Sequence, residues 1–280
     1  MQPVFRFAPS PNGRLHLGHA YSALLNADLA GKLGGRFLLR LEDIDTVRCT
    51  PELTQACLDD LAWLGLAWEK PVRIQSQHWS DYAAARERLK VQNLLYPCFC
   101  TRAEIAAASG AKDPDGAPIY PGTCARLTPT AIAMRIVDGE PHSWRLAMEK
   151  ALDGAPALSY RRFHPSSRQE ENVTADPARW GDAVLIRKDT PASYHLSVVV
   201  DDALQGITHV VRGADLEAAT DLHVLLQHLL GLPAPRYHHH ALITESGEKL
   251  SKSKGSETLA DLRSRGVDPG EIRAMLGFPA

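Results

Sequence analysis

The N-terminal part of the chain alternates between β-prone and helical segments, and this alternation limits the possible folds more than any other feature. A β-prone run, VFRFA at 4–8, leads into a turn rich in proline and glycine. A helical pattern starts at His19 and ends at Gly34 and Gly35, and RFLLRLED at 36–43 is β-prone again. A strand, a helix and a second strand in this order predict a βαβ unit and therefore a parallel sheet with a right-handed crossover.

Two histidines mark a candidate anion site at the start of the first helix. His16 and His19 follow a loop restrained by proline and glycine, where free N–H groups and the positive end of the helix dipole favour anions. Their imidazoles can donate hydrogen bonds to phosphate oxygens as charge develops. The alternative is that they cap the helix on a solvated face. Ligands of parallel sheets bind beyond the carboxyl ends of strands, and Arg6–Ser10 and Glu42–Asp45 both fall there.

Two lysines near the other end of the chain form a second candidate site. Lys249 and Lys252 lie in KLSKS, between Gly247 and Gly255, where two mobile positive charges can reach a polyphosphate. Taken alone, such a pair is typical of a solvated loop. Together with the two histidines, it indicates a nucleotide site.

The middle of the chain is predicted to hold an insertion. The segment 51–95 has a helical pattern, and 98–126 is dense in glycine, proline and cysteine. Strand character returns at 182–189 and at 193–204, and a helix is predicted at 217–230. A short helical tail follows the lysine motif.

Three cysteines in the insertion predict a metal site. Cys98, Cys100 and Cys124 offer soft thiolates, which suit zinc, and the alternative is three unrelated cysteines. A structural zinc site needs four ligands, and no fourth cysteine lies nearby. From the residues alone, His142 is a candidate for the fourth position.

Two further groups of possible metal ligands are set aside. The three histidines at 238–240 cannot all face one ion, and Cys49 and Cys57 are predicted to be packing residues.

Composition excludes several classes of protein. Five cysteines, an odd number, do not suggest a disulfide framework, so a reducing cytoplasm is expected. No stretch approaches the roughly 18 apolar residues of a membrane helix, and the N-terminal residues lead us to expect no export signal. With a net charge of −2, a nucleic-acid partner requires a local basic face.

Several longer segments resemble one enzyme family. RFAPSPNGRLHLGHA and KLSKS resemble the two signature motifs of the class I aminoacyl-tRNA synthetases. GGRFLLRLEDID, DPARWGDAVLIRKD and YHLSVVVDDALQGITHVVRGADL are similar to the glutamyl/glutaminyl branch of that family. The resemblance runs from Arg6 to about Ser256 and therefore covers nearly the whole chain.

The resemblance implies a role for each of a set of residues. L-Glutamate would be bound by two guanidiniums for its carboxylates, Glu42 for its ammonium group and several lining groups: Arg6, Phe7, Ala8, Pro9, Ser10, Glu42, Tyr194 and Arg212. ATP, with its Mg²⁺, would be acted on by His16, His19, Lys249 and Lys252. The implied reaction is attack of the glutamate carboxylate on the α-phosphorus, which gives glutamyl-adenylate and pyrophosphate.

Short members of the family give a more specific expectation. Their C-x-C and Y-x-x-x-C pattern implies one structural Zn²⁺ held by Cys98, Cys100, Tyr120 and Cys124. Only 27 residues follow Ser253, so no anticodon-binding domain is expected. These members transfer glutamate to the queuosine base at the wobble position of tRNA(Asp). The implied partners are therefore L-glutamate, ATP and the anticodon stem-loop of tRNA(Asp) carrying queuosine.

Other functions stay open at this point. The chain could be a minimal glutamyl-tRNA synthetase that charges the 3′ end of tRNA(Glu), or another class I-type nucleotidyltransferase. It could also be a non-catalytic paralogue that binds glutamate or RNA, although the intact histidine and lysine motifs argue against this. Basic residues predicted to hold RNA phosphates, or else to be solvated charges, are Arg161, Arg162, His164, Arg168, Arg263 and Arg265.

The predicted fold is α/β, with a Rossmann-like parallel sheet split by a zinc-carrying insertion and followed by a small helical element around KLSKS. The predicted units are 1–97 and 191–240 for the two halves of the catalytic domain, 98–190 for the insertion, and 241–280 for the lysine loop and helical tail. A monomer is expected.

Overall fold

The computed structural model describes residues 2–167, 169–245, 248–249 and 257–279. The strands are β1 (Val4–Phe7), β2 (Arg36–Leu41), β3 (Glu69–Ile74), β4 (Leu95–Cys98), β5 (Ser143–Leu146), β6 (Ser159–Phe163), β7 (Glu170–Thr174), β8 (Val184–Ile186), β9 (His209–Gly213), β10 (Arg236–His240), β11 (Thr244–Glu245) and β12 (Glu248–Lys249). The helices are α1 (Leu17–Lys32), α2 (Pro51–Trp63), α3 (Trp79–Val91), α4 (Arg102–Ala108), α5 (Pro129–Val137), α6 (Met148–Leu152), α7 (Tyr194–Leu204), α8 (Ala219–Leu230), α9 (Leu259–Ser264) and α10 (Pro269–Met275).

A seven-stranded sheet organises the molecule. Its strand order is β3-β2-β1-β9-β10-β6-β7, and all neighbours are parallel except the antiparallel pair β6–β7. The chain leaves β1 through α1 to β2 on one side, and returns with β9 on the other side of β1. The predicted βαβ unit and the mainly parallel α/β sheet are therefore confirmed.

The two faces of the sheet are covered by different helices. Phe7 on β1 packs in one core with α1, α2 and both tail helices, for which Leu24, Leu61 and Ile272 are representative. On the opposite face, Val224 of α8 packs with residues of β1, β2 and β9. A further core joins α7 and α8 to α3 and to the insertion. The tail is thus part of the fold, and its chain runs past the first helix, where the Leu259 N–H donates to the Leu15 carbonyl at 2.8 Å.

Some local predictions were wrong. The predicted strand at 193–204 is helix α7, and β3 lies within the segment predicted to be helical. The residues from Leu196 to Asp202 in α7 are all buried, so the sequence there shows no helical period, and its valines raise the expectation of a strand. The histidines at 238–240 belong to strand β10.

The insertion is only partly separate from the main sheet. Within 98–190, β5 and β8 pair with β4 in a three-stranded antiparallel sheet, whereas β6 and β7 extend the seven-stranded sheet. The predicted range therefore contains strands of both sheets. Among the described residues, no helix combines the length and the apolar character required to cross a membrane.

Candidate active site

A cavity of 660 Å³ opens at the carboxyl ends of the central parallel strands. It lies where β2 and β9 diverge on either side of β1, which is the position where parallel α/β sheets bind ligands. Its walls contain every residue assigned to glutamate binding by the resemblance, together with both histidines: Arg6, Phe7, Ala8, Pro9, Ser10, His16, His19, Glu42, Tyr194 and Arg212. The structure therefore brings these sequence-distant residues together.

Four arginines lie on one face of the sheet, on four adjacent strands. Arg40 on β2 is level with Arg73 on β3, and Arg6 on β1 is level with Leu38, two positions from Arg40. Because Phe5 is level with His209, Arg212 on β9 projects from the same face as Arg6. Arg6, Arg40 and Arg212 are each at most 5% exposed. So much buried positive charge requires anionic partners.

Helix α7 supplies two of these partners. Asp202 accepts hydrogen bonds from Arg6 Nε at 3.0 Å and from Arg40 Nη1 at 2.8 Å. Asp201 accepts from Arg73 Nε at 2.6 Å. Burial raises the pKa of the Asp202 carboxyl, but the two guanidiniums outweigh it and hold that pKa below its ordinary value. Asp202 is therefore an ionised counter-charge inside the fold.

Arg212 differs from the other arginines because its described partners are all neutral. Its guanidinium contacts the Tyr194 hydroxyl at 3.3 Å, the Thr220 hydroxyl at 2.8 Å, and the imidazoles of His223 at 3.2 Å and His239 at 3.4 Å. Burial and Arg212 itself lower the pKa of His239 to about 2 and that of His223 well below its ordinary value. Within the described part of the chain, no carboxylate forms an ion pair with Arg212. A buried cation of this kind is suited to an incoming carboxylate.

Glu42 supplies the opposite charge on the other side of the cavity. Its side chain is 10% exposed, and Oε1 lies 3.1 Å from Arg40 Nη2. Burial raises the pKa of the Glu42 carboxyl, whereas Arg40 and Arg6 lower it by a smaller amount. Arg48 and Asp215 also line the cavity but are exposed, so its buried charges are one negative group, Glu42, and two positive ones, Arg6 and Arg212. This pattern complements an amino acid with two carboxylates and one ammonium group.

Both histidines cap helix α1 and line the cavity at the same time. His16 Nδ1 accepts from the Gly18 N–H at 3.1 Å, and His19 Nδ1 accepts from the His16 N–H at 3.2 Å. Each neutral ring therefore carries its proton on Nε2, so each can donate from that atom. The capping and phosphate-binding interpretations are compatible, since different ring nitrogens serve the two roles.

The lysine motif is only partly covered by the structure. Lys249 is the last residue of β12, and Lys252 lies outside the described residues. On one side of the motif, Leu242 and Ile243 line the cavity. On the other side, Thr258 forms a β-bridge with His16.

Comparison with known proteins places the chain in a family. The family model described as tRNA synthetases class I (E and Q), catalytic domain, matches residues 4–276. The glutamyl-Q tRNA(Asp) synthetase of Rhodobacter capsulatus is 42% identical over 289 residues, which cover 98% of this chain and 100% of that protein. The chain belongs to the glutamyl-Q tRNA(Asp) synthetases.

Longer relatives share the same region. Glutamate–tRNA ligase 1 of Halorhodospira halophila is 40% identical over 98% of this chain but only 57% of its own length. The crystal structure of a glutamate tRNA ligase from Elizabethkingia meningosepticum, in complex with its amino acid, has a TM-score of 0.72 and 28% identity. It covers 91% of this chain, and the chain spans 53% of that ligase.

Three of the five cysteines form a compact cluster in the insertion. The Sγ atoms of Cys98, Cys100 and Cys124 all lie within 4.8 Å of one another. The Tyr120 hydroxyl is 3.5 Å from Cys100 Sγ. Sulfurs that share a tetrahedral zinc ion at about 2.3 Å are about 3.8 Å apart, so these residues fit such an ion. His142 is not part of the cluster, and its Nδ1 contacts the Glu140 carbonyl at 3.0 Å instead.

The remaining cysteines pack as predicted. Cys57 is 2% exposed and belongs to the core beneath α1. Cys49 is buried, and its Sγ lies 3.7 Å from the Ser10 hydroxyl at the edge of the cavity.

The candidate RNA-contacting residues are paired with carboxylates. Arg162 pairs with Glu171 at 2.8 Å and also with Glu217. The other described pairs are Arg161–Glu170 at 3.7 Å, His164–Glu171 at 3.5 Å, Arg263–Asp60 at 3.1 Å and Arg265–Glu257 at 2.8 Å. Arg168 lies outside the described residues. The described part of this set is therefore largely neutralised within the protein.

Sequence reasoning missed three charged residues of the site, although a signal was present. Arg40 stands inside the apolar run of β2, and Asp201 and Asp202 follow three valines in α7. A charged residue in the middle of an apolar segment is rarely buried unless it is paired. Such interruptions could have predicted that these charged side chains are buried and paired, although not which partners they have.

The cap geometry predicts that two substitutions of His16 will differ. His16→Ala removes the side chain that accepts from the Gly18 N–H, so the free energy of unfolding should fall by about 1 kcal/mol. His16→Asn keeps a capping side chain and should leave that free energy nearly unchanged. Urea unfolding of both variants and the parent checks this. Equal loss in both variants would contradict the capping role.

Proposed function

We propose that this protein activates L-glutamate with ATP and transfers the glutamyl group to the queuosine base of tRNA(Asp). The observation that carries the choice of amino acid is Arg212, a buried guanidinium whose described partners are neutral, in one cavity with Arg6 and Glu42. Support for the acceptor comes from family membership, since the match extends over the whole length of the Rhodobacter capsulatus relative.

The cavity accounts for recognition of glutamate by charge. Arg212, with the Tyr194 hydroxyl beside it, binds the side-chain carboxylate. Arg6 binds the α-carboxylate, and Glu42 accepts from the ammonium group. A neutral glutamine side chain would leave the Arg212 charge uncompensated, which a buried site penalises.

Activation is an in-line displacement at phosphorus. An oxygen of the glutamate α-carboxylate bonds to the α-phosphorus, the bond from that phosphorus to the bridging oxygen breaks, and pyrophosphate leaves. His16 and His19 donate from Nε2 to phosphate oxygens as negative charge accumulates. Lys249 and Lys252 supply positive charge to the same phosphates. Mg²⁺, bound with ATP, neutralises phosphate charge.

Transfer then forms an ester. A hydroxyl of the cyclopentene-diol of queuosine attacks the glutamyl carbonyl, AMP leaves with the bonding electron pair, and the hydroxyl proton is released. The three thiols and Tyr120 would hold one structural Zn²⁺, which would fix the fold of the insertion. Reduced thiolates suit the cytoplasm, which we take as the site of action.

Removing the side-chain charge of Arg212 should abolish efficient use of glutamate. For Arg212→Gln, kcat/KM in glutamate-dependent ATP–pyrophosphate exchange should fall by about a hundredfold or more. Arg236→Gln is the matched control, because Arg236 lies on the neighbouring strand in an exposed pair with Glu170 and should keep nearly full activity. An unchanged KM for glutamate in Arg212→Gln would refute the assignment of Arg212.

The zinc site makes a separate prediction for Tyr120. The parent should hold one zinc per chain, and Tyr120→Phe should weaken zinc binding by more than about tenfold, measured by competition with a chromogenic chelator. Cys124→Ala should lose the ion, whereas Cys57→Ala, a substitution in the core, should retain it. Unchanged zinc affinity in Tyr120→Phe would mean that the phenol packs beside the site without ligating the metal.

The acceptor is tested with radioactive glutamate and five RNAs. Four are tRNA(Asp) with and without queuosine, each with and without its 3′-terminal adenosine, and the fifth is tRNA(Glu). We expect label only on the two queuosine-containing RNAs, irrespective of the terminal adenosine. Label that requires the terminal adenosine, or that appears on tRNA(Glu), would make the protein a minimal charging enzyme. No pyrophosphate exchange at all would indicate a non-catalytic paralogue.

A further inference from the structure

Arg40 is fully buried in the middle of the ion-pair network and does not line the cavity. Its guanidinium reaches Glu42 Oε1 from both Nη2, at 3.1 Å, and Nε, at 3.3 Å. On its other side, Nη1 donates to Asp202 at 2.8 Å and to Gln205 Oε1 at 2.9 Å. Arg40 is thus bound on one side to helix α7 and to Gln205, the residue that follows this helix, and on the other side to Glu42.

This arrangement fixes Glu42, the buried negative group that faces the cavity. Two donors on a single carboxylate oxygen restrict rotation of the Glu42 side chain, because a guanidinium fork is rigid and planar. The charges that face Glu42 come from three elements: Arg40 on its own strand, Arg6 on β1, and Asp202 on α7. The Tyr194 hydroxyl group also lies within its electrostatic reach. Of these groups, Arg40 makes the direct contact.

We propose that Arg40 is a positioning residue, which orients Glu42 to accept the ammonium group of the amino acid without touching the substrate itself. The inference rests on the proposed function, since it assumes that Glu42 receives that ammonium group. The geometry distinguishes this role from general stabilisation, because Arg73, a partly buried arginine on the neighbouring strand, pairs with Asp201 and Asp81 and does not line the cavity.

A double-mutant cycle tests the proposal. KM for glutamate is measured by ATP–pyrophosphate exchange in Arg40→Gln, Glu42→Gln and the double variant. Each single change should raise KM by about tenfold or more, with a smaller effect on kcat. In the double variant, KM should be no higher than in Glu42→Gln alone, since Arg40 would have nothing left to orient. Multiplicative effects would show that Arg40 acts elsewhere and would overturn the proposal.

Two further readouts follow from the charge of Arg40. Glutarate, which lacks the ammonium group, should inhibit Arg40→Gln and the parent with similar inhibition constants. A general distortion of the cavity would instead weaken the binding of both glutarate and glutamate. Removing Arg40 also removes a charge that lowers the pKa of Glu42, so that pKa should rise further. As the pH falls, Glu42 in Arg40→Gln should therefore become neutral earlier, and KM for glutamate should rise at higher pH than in the parent.

Control variants distinguish a loss of folding from a loss of the proposed role of Arg40. Arg73→Gln breaks two ion pairs of the same network and should leave KM for glutamate and its pH profile unchanged. Thermal unfolding shows whether each variant is folded. If Arg40→Gln does not fold, Arg40→Lys keeps the charge without the fork and enters the same cycle, where a multiplicative result again overturns the proposal. Absence of glutamate-dependent exchange in the parent would instead refute the proposed function, so the two failures are distinguishable.

Discussion

The contact between an arginine-bearing sheet face and the acidic end of helix α7 determines how this protein is organised. Arg6, Arg40 and Arg73 lie on three adjacent strands and are matched by Asp201 and Asp202. Ionised groups this deeply buried are tolerated only when their charges are compensated and their hydrogen bonds are satisfied. The position of α7 over the sheet is therefore fixed by charge as well as by apolar packing.

Of the four arginines on this sheet face, one that lines the cavity has no anionic partner among the described residues. Arg212 belongs to the arginine row but meets hydroxyl groups and neutral imidazoles, whereas Glu42 projects from the opposite wall. A preorganised excess of charge costs stability in the empty protein and is offset when a complementary ligand binds. In the proposed function, the specificity for a dicarboxylic amino acid then follows from the unpaired charge of Arg212, and the pairing of the sheet with α7 holds the other groups of the cavity in place.

Two other parts of the fold, helix α1 and the tail helices, support the cavity. Helix α1 presents the Nε2 atoms of His16 and His19 to the cavity because their Nδ1 atoms cap the helix. The tail helices pack against the core beneath α1 and tie the chain after the lysine motif to His16. The thiol cluster differs chemically from this site. It is formed by three sulfurs and a phenol rather than by carboxylates, and these groups suit a structural ion. Stability of the insertion and activation of the amino acid are therefore expected to respond to different substitutions.

The sequence by itself determined the local elements whose pattern is strong, namely the first βαβ unit and helix α8. It also determined the chemistry of the motif residues, because the side-chain types and their order along the chain carry the resemblance to the synthetases. Only the tertiary structure decided that 193–204 is a helix. Adjacent Asp201 and Asp202 both reach one sheet face, which a strand would not allow because its side chains alternate.

Tertiary structure likewise decided that Arg40 supports Glu42, and that Arg212 lacks a carboxylate partner among the described residues. These properties depend on which groups meet across strands that are distant in sequence, and local spacing contains no information about such meetings. The role of a buried charged side chain depends on the groups that are packed against it. The partner is fixed by the packing of the sheet against α7, after the local elements have formed.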